Sequence, residues 1–288
     1  MKNLFIFLTL SLFISPLFAQ EDTLNPVTSK PVRFTFGTTT LIENNTVETV
    51  YKGGLELEIR HRFSLIENYH DLFGIYGSAN TRIGLNYGIT DRLMIGVGTT
   101  KNYQLQDIQW KYLILRQTED NSMPVSLSYY GNIVLNLQTA GDFGPAASFR
   151  AIHRLSYFTQ LILARKINNM FSVQVAPSLS YFNSVPQNVD STAGYKNLNI
   201  GISAGARANL FGNHSLIIEY DKLLTKQNIA VQPKPNLSLG WEIGTATHSF
   251  QIFVTNYDQI INQRNLVFNT NDWRESQWLI GFNIHVRF

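Results

Sequence analysis

The chain has 288 residues, 44% hydrophobic and only 15% charged, against roughly 25% charged residues in an ordinary soluble domain. That balance excludes a disordered chain and disfavours a large solvated surface. Cysteine is absent, which excludes disulfide scaffolds, thiol catalysis, cysteine-bound zinc or iron–sulfur centres and lipidation through an N-terminal cysteine. The formal charge of +3 is small and scattered, so nucleic-acid binding has no electrostatic footprint.

Lys2, the apolar run from Leu4 to Ile14, Pro16 and the pair Ala19-Gln20 have the layout of a secretory signal peptide. The apolar run is far shorter than the roughly 20 residues a membrane helix needs, so residues 1–19 are expected to be cleaved, although Leu17 is larger than the residue usual at that place. Residues 20–48 then form a periplasmic or lumenal lead, in which Phe34 and Phe36 suggest an extra short strand.

From residue 49 onward an alternation of period two is almost continuous, and it predicts twelve strands. They lie near 49–63, 77–89, 92–102, 104–117, 123–137, 152–167, 170–183, 196–210, 213–222, 235–245, 248–257 and 274–288. Side chains of a strand point alternately to opposite faces. Leu55, Leu57, Ile59, His61 and Phe63 thus oppose Glu56, Glu58, Arg60 and Arg62; Ile83, Leu85 and Tyr87 oppose Arg82, Gly84 and Asn86. Further on, Phe171, Val173 and Val175 oppose Ser172, Gln174 and Ala176, and Leu198, Ile200 and Ile202 oppose Asn199, Gly201 and Ser203. In the last strand Trp278, Ile280, Phe282, Ile284, Val286 and Phe288 share one face, and only Leu279 breaks the pattern.

The strands are longer than the five or six residues usual in soluble sheets, and their second face is mainly Gly, Ser, Asn and Gln rather than charged. Both features disfavour a secreted β-sandwich. Tight turns at Thr90-Asp91, Asn168-Asn169, Gly212-Asn213 and Ala246-Thr247, with a modest one at 118–122, alternate with longer connections, only the one near 103 being short. This is the asymmetry of an outer-membrane barrel, with short turns facing the periplasm. The expected fold is therefore all-β: an antiparallel transmembrane barrel over residues 49–288, its apolar face in lipid and its small polar face inside. Tyr87, Trp110, Tyr112, Tyr129, Tyr157, Tyr181, Tyr220, Trp241 and Trp278 would supply the interfacial aromatic girdles. Outer-membrane lipid and lipopolysaccharide are the expected surroundings.

Two sets of residues carry a resemblance. The terminal Phe288 with the alternating Trp278 and Phe282 before it looks like the assembly signal of outer-membrane barrels, which implies the barrel-assembly machinery as a partner. The segments His61-Arg62-Phe63, Asn80-Thr81-Arg82-Ile83-Gly84, Tyr87-Gly88-Ile89-Thr90-Asp91-Arg92-Leu93 and Lys111-Tyr112-Leu113-Ile114-Leu115-Arg116 are similar to an uncharacterised family of Gram-negative outer-membrane β-barrels, a domain of unknown function. The resemblance covers most of the chain after the leader and implies fold and location; it brings no activity.

The inward face is expected to hold Glu56, Glu58, Arg60, Arg62, Arg82, Lys111, Arg207, Glu219, Asp221, Glu242 and Arg287. Two readings remain open: a charged constriction that selects solutes by sign, or opposite charges that pair across the interior and close it. Lumen-facing glycines at 84, 88, 96, 98, 201, 205, 240, 244 and 281 leave room for long side chains or for water. The six histidines are scattered without ligand spacing, so neither a metal nor another cofactor is expected. His214-Ser215 are neighbours that face opposite sides of a strand, whereas His70-Asp71 and Asp272-Trp273-Arg274-Glu275 lie near outer loops. The preferred function is a non-enzymatic channel or transport-associated barrel for small polar solutes. The alternatives are a structural or partner-binding barrel acting through its outer loops and an outer-membrane lipid or peptide hydrolase.

Overall fold

The computed structural model describes residues 29–67, 69–143, 148–186 and 194–288; the expected signal peptide lies outside the described residues. The strands are β1 (Leu55–Leu65), β2 (Asn80–Gly88), β3 (Leu93–Thr100), β4 (Leu105–Leu115), β5 (Ser126–Asn136) and β6 (Leu155–Lys166), then β7 (Phe171–Phe182), β8 (Leu198–Phe211), β9 (His214–Leu223), β10 (Asn236–Gly244), β11 (His248–Thr255) and β12 (Leu279–Arg287). Each pairs antiparallel with its chain neighbours, and β12 returns to β1 to close a twelve-stranded barrel. Closure leaves the ladder no unpaired edge, the condition a sheet must meet in hydrocarbon. At the seam Glu56 stands opposite Arg287, Glu58 opposite His285 and Arg60 opposite Asn283, so the seam itself already brings unlike charges together.

The period-two pattern becomes the wall. In β7 every residue alternates between exposed and buried, with Phe171, Val173, Val175, Leu179 and Tyr181 outward. The same phase puts Ile83, Leu85, Ile200 and Leu239 on the exterior. A membrane barrel is thus turned inside out relative to a soluble domain: large aliphatic residues cover the exterior while Asn, Gln, Ser and charged groups fill the interior. Leu279, the residue out of phase in β12, points inward and is buried.

The largest departures from the sequence expectation are two strand starts and one absent strand, each with a local reason. β1 begins at Leu55 rather than near 49, because residues 49–54 run along the rim. There the Thr49 hydroxyl donates to the Asp91 carbonyl at 2.9 Å and the Lys52 amide to the Asp91 carboxylate at 3.0 Å, before Gly53 turns the chain at φ +78°. β12 begins at Leu279 rather than near 274, because Trp273–Glu275 form a 3-10 turn. Phe34 and Phe36 form no strand: Phe34 sits at φ +54°, and Phe36 is buried within the barrel.

The tight turns and both described ends of the chain lie at one mouth of the barrel, here the turn side, and the longer connections at the other, the loop side. The short loop-side connection is a 3-10 turn at Asn102–Gln104. The longest described intrusion is the β11–β12 connection, which carries the one α-helix among the described residues, α1 (Asn262–Phe268).

The exterior assignment has a direct test. Leu239 is half-exposed on the outer face of β10, and Arg there is expected to cost about 2–4 kcal/mol in lipid, whereas Leu239→Phe is expected to be neutral. Urea unfolding of the barrel refolded into vesicles measures both; equal midpoints would place Leu239 away from hydrocarbon.

Candidate functional site

The interior is occupied by the protein itself. Residues 30–32 run along the turn-side rim beside the β4–β5 turn, Pro31 bridging Thr118 and the Val32 amide donating to the Gln117 carbonyl at 2.8 Å. The chain then dives into the barrel, reverses at Leu41–Asn44, and returns to the rim beside the β2–β3 turn. The reversal is a small hairpin, with the Leu41 amide donating to the Asn44 carbonyl at 2.8 Å and the Thr46 amide to the Thr39 carbonyl at 2.9 Å. Everything from Phe36 to Val47 except half-buried Gly37 is buried.

This re-entrant segment, the plug, has few amides paired within itself, and the wall supplies the rest. Lys111 donates to the carbonyls of Thr39 (2.6 Å) and Glu48 (3.0 Å), Gln174 to that of Asn45 (3.1 Å), and Asn283 to that of Ile42 (2.7 Å). At the tip, the amides of Ile42, Glu43 and Asn44 all donate to one oxygen of Glu219, at 3.2, 3.1 and 2.9 Å. Successive amides converging on one carboxylate oxygen form an anion-binding nest. The Glu43 side chain points the other way, one oxygen 3.1 Å from Arg60 Nη1 and the other 3.1 Å from Arg62 Nη2. A three-residue tip therefore spans from β1 to β9, holding guanidinium groups on one side and a carboxylate on the other.

From the loop side α1 descends to meet it. The Asn262 side chain donates to the Glu43 carbonyl at 3.2 Å, and Gln263 reaches Asn132 (2.9 Å) and Ser156 (3.2 Å) on the wall. Leu266 and Val267 join Phe36, Leu41 and Ile42 of the plug and Phe158, Ile162, Ile217 and Phe253 of the wall in one apolar cluster. Room for it comes from lumen glycines: a Cβ on Gly201 would lie 2.4 Å from Leu266, and one on Gly205 2.7 Å from Leu41. These positions are thus filled by side chains. A void of about 50 Å³ lined by Gly37, Arg207, Glu242, His285 and Arg287 remains near the turn side, space for a water or two.

The wall charges are paired. Arg82 lies between Glu58 (2.8 Å) and a bidentate Asp107 (2.9 and 2.6 Å). Arg60 also bonds Glu58 at 2.9 Å, Arg207 bonds Glu242 at 2.8 Å, and Arg287 bonds Glu56 at 2.8 Å. Glu219 accepts from Tyr257 at 3.1 Å, and Asp221 meets Asn44 and Asn236. Glu56, Glu58, Arg60, Arg62, Arg82, Lys111, Arg207, Glu219, Asp221, Glu242 and Arg287 all face inward. Among the basic groups, Arg62 has its carboxylate, Glu43, and Lys111 its carbonyl acceptors on the plug. On the loop side Asp272 caps its 3-10 turn and binds Arg274 (2.8 Å) and Lys234 (3.0 Å). Hydrogen bonds from Arg274 hold its carboxyl well below the usual carboxylate range. A lowered carboxyl stabilises the folded loop above the ordinary carboxylate pKa and loses that contribution as pH falls through the lowered value.

Of the remaining candidates, His214 accepts from Trp241 at 3.1 Å while Ser215 is buried on the opposite face. Asp71 accepts from the amide of Gly74 at 2.9 Å. Trp278 and Phe282 lie outward, half-buried, and Phe288 ends the β1–β12 ladder with its amide 2.9 Å from the Leu55 carbonyl. The groups that sequence reading did not single out are Glu43, Asn44, Asp107, Gln251, Tyr257 and Asn262. Asp107 was readable from its phase in β4, opposite Gly98. Gln251 was equally readable from its phase in β11, where it lies between Glu242 and Asn283, whereas Glu43, Asn44, Tyr257 and Asn262 lie on connecting segments whose course periodicity does not set.

Residues 36–288 match the family of the membrane bound beta barrel domain DUF5777. The chain belongs to this family. No curated protein matches the sequence. Among solved structures, the fold is similar to that of the NanC porin, with a TM-score of 0.52 at 9% identity over 81% of this chain and 98% of that one. It is also similar to the KdgM porin in complex with disordered oligogalacturonate, with a TM-score of 0.50 at 6% identity over 81% of this chain and 99% of that one. At these identities the likeness is one of fold.

The buried pairing makes Gly98 a sensitive position in this family member. A Cβ there would lie 2.3 Å from Arg82 Nη2, and that guanidinium is fixed by two carboxylates. Gly98→Val is expected to break the cluster and cost about 3–5 kcal/mol, the cost of a buried pair that loses its geometry. Gly244→Ala, whose Cβ would meet nothing within 4 Å, serves as the control. Equal urea midpoints for the two variants would mean that Arg82 is not held as described.

Proposed function

We propose that this protein is an outer-membrane channel for small polar solutes that is held shut by its own N-terminal segment. Membership in a membrane-bound barrel family and the outer-membrane fold of the porins it resembles support the location. The turn side is then periplasmic, so the plug enters from the periplasm. The observation that carries the reading is how the plug is held. Apart from small bridges at 31–118 and 40–45 it joins no ladder, and its tip is held by side chains of the wall. It can therefore leave without opening a single rung of the barrel, which a strand cannot do.

The walls it would uncover carry both signs of charge beside Ser, Asn and Gln, a lining suited to hydrated polar solutes. In planar bilayers the intact chain is expected to be mostly silent, with rare openings. Glu43→Gln leaves Arg62 without a carboxylate and Arg60 with Glu58 alone in the closed state, at a cost of about 3–5 kcal/mol; the open fraction should rise by about a hundredfold or more. Because the chain has no cysteine, an Asn45→Cys, Gln174→Cys pair bridged by a short thiol cross-linker should abolish openings until it is cleaved. If Glu43→Gln is as silent as the intact chain and the cross-link changes nothing, the barrel is not a channel, and a structural or partner-binding role takes its place.

A further inference from the structure

Building on the channel reading, we propose that the seat of the plug tip is a binding site for a small solute bearing both a carboxylate and N–H donors. A glutamyl unit is its type, and residues 42–44 occupy the seat as a tethered stand-in. Every recognition group belongs to the wall or to the loop above it. Arg60 and Arg62 receive the carboxylate; Glu219 and Asp221 receive N–H groups, three from the backbone and one from the Asn44 amide.

Each of these groups also has a partner on the wall or the loop above it, besides its plug contact. Arg62 is fixed by Asn283 at 3.0 Å and lies over the Phe253 ring at 4.4 Å. Arg60 is fixed by Glu58 at 2.9 Å, Glu219 by Tyr257 at 3.1 Å, and Asp221 by Asn236 at 3.5 Å. A seat fixed in advance loses little entropy when a ligand fills it. Arg62 Nε is a further buried donor with no partner among the described residues.

The two-signed seat defines the ligand class. A simple anion would satisfy Arg60 and Arg62 but leave Glu219 and Asp221 uncompensated, and a simple cation would do the reverse. One glutamate residue meets both demands: its side-chain carboxylate and its own amide reach the two sides at once, as Glu43 does. Acidic amino acids and short acidic peptides are therefore the expected solutes, approaching from the mouth through which the plug itself passes.

The test keeps the chain intact during folding. A recognition sequence for a site-specific protease is inserted between exposed Tyr51 and Lys52; the protein is folded, shown to be heat-modifiable, then cut. Fluorescence anisotropy in detergent follows a labelled peptide of residues 36–48 as it replaces the severed segment, with N-acetyl-Ile-Glu-Asn-amide, its Glu→Gln and Glu→Lys versions, and acetate as competitors. The Glu tripeptide is expected to compete, with the Gln version weaker by about thirtyfold or more and the Lys version and acetate inactive at the same concentration. Arg62→Gln should erase the difference between the Glu and Gln tripeptides. Equal competition by the Glu, Gln and Lys tripeptides overturns the proposal, as does a severed segment that neither leaves nor exchanges, since an inaccessible seat binds no solute. Conductance of the same cut protein separates the two readings. A silent barrel that retains the Glu preference defeats the channel alone, and a conducting barrel without that preference defeats the site alone.

Discussion

An ionised group inside a closed barrel must find its counter-charge there, because the ladder seals the wall and side chains pack the interior. Burying such a group alone costs several kcal/mol, and pairing with good geometry is what makes it tolerable. Arg82 with Glu58 and Asp107, Arg287 with Glu56, and Arg207 with Glu242 are solutions that the wall provides by itself. Arg62, Lys111 and Glu219 are not. Arg62 finds its carboxylate in Glu43, Lys111 its acceptors in plug carbonyls, and Glu219 its backbone donors at the plug tip. Wall and plug therefore form one electrostatic unit, and the choice of inward residues on β1, β4 and β9 is intelligible only with the plug in place.

Space obeys the same logic as charge. A twelve-stranded barrel encloses more volume than its own inward side chains fill, and an empty interior forfeits dispersion contacts. The protein fills it from two ends. The plug rises from the turn side, α1 descends from the loop side, and the two meet where Asn262 bonds the Glu43 carbonyl. The lumen glycines of β8 mark where the filling presses on the wall, Gly205 under Leu41 and Gly201 under Leu266. A glycine in a strand weakens it, and in β8 that cost is offset by the apolar contacts it allows.

Most of the wall was legible in the sequence, because a barrel strand has one face in lipid and alternation with period two has a single structural meaning there. The phase of Leu57, Ile83 and Ile200, the twelve strands and the inward direction of the charges from Glu56 to Arg287 all follow from that rule. The filling was not legible. The tract Thr38-Thr39-Thr40 and the run Glu43-Asn44-Asn45-Thr46 have no period of their own; what fixes their shape is the wall around them, assembled from strands far away in sequence. For the same reason the two readings of the inward charges could not be separated: pairing within β1, β2 and β4 concerns near neighbours, but Glu43 joins Arg62 to the plug. Phe36 misleads for a related reason, since a buried aromatic inside a barrel and one in a strand look alike in sequence.

The depth of the closed state follows from what opening would uncover. Phe36, Leu41, Ile42 and Val47 are all nearly fully buried, and each contributes about 1.5–3 kcal/mol when it leaves water. Ordering the segment costs about 1–2 kcal/mol per residue in backbone entropy, so the apolar gain alone does not hold it in place. The balance is tipped by the polar contacts at the tip, which are charge-assisted and therefore worth roughly twice a neutral hydrogen bond. On the channel reading, the charge-assisted part of what holds the segment is concentrated at the tip, and release would begin there. A ligand shifts such an equilibrium only by its differential affinity for the open form, and the seat of residues 42–44 is the place where differential affinity is largest, because a molecule bound there replaces the very contacts that keep the plug in. On the proposed channel reading, the contacts that would keep the barrel quiet at rest are the ones a ligand must replace to open it.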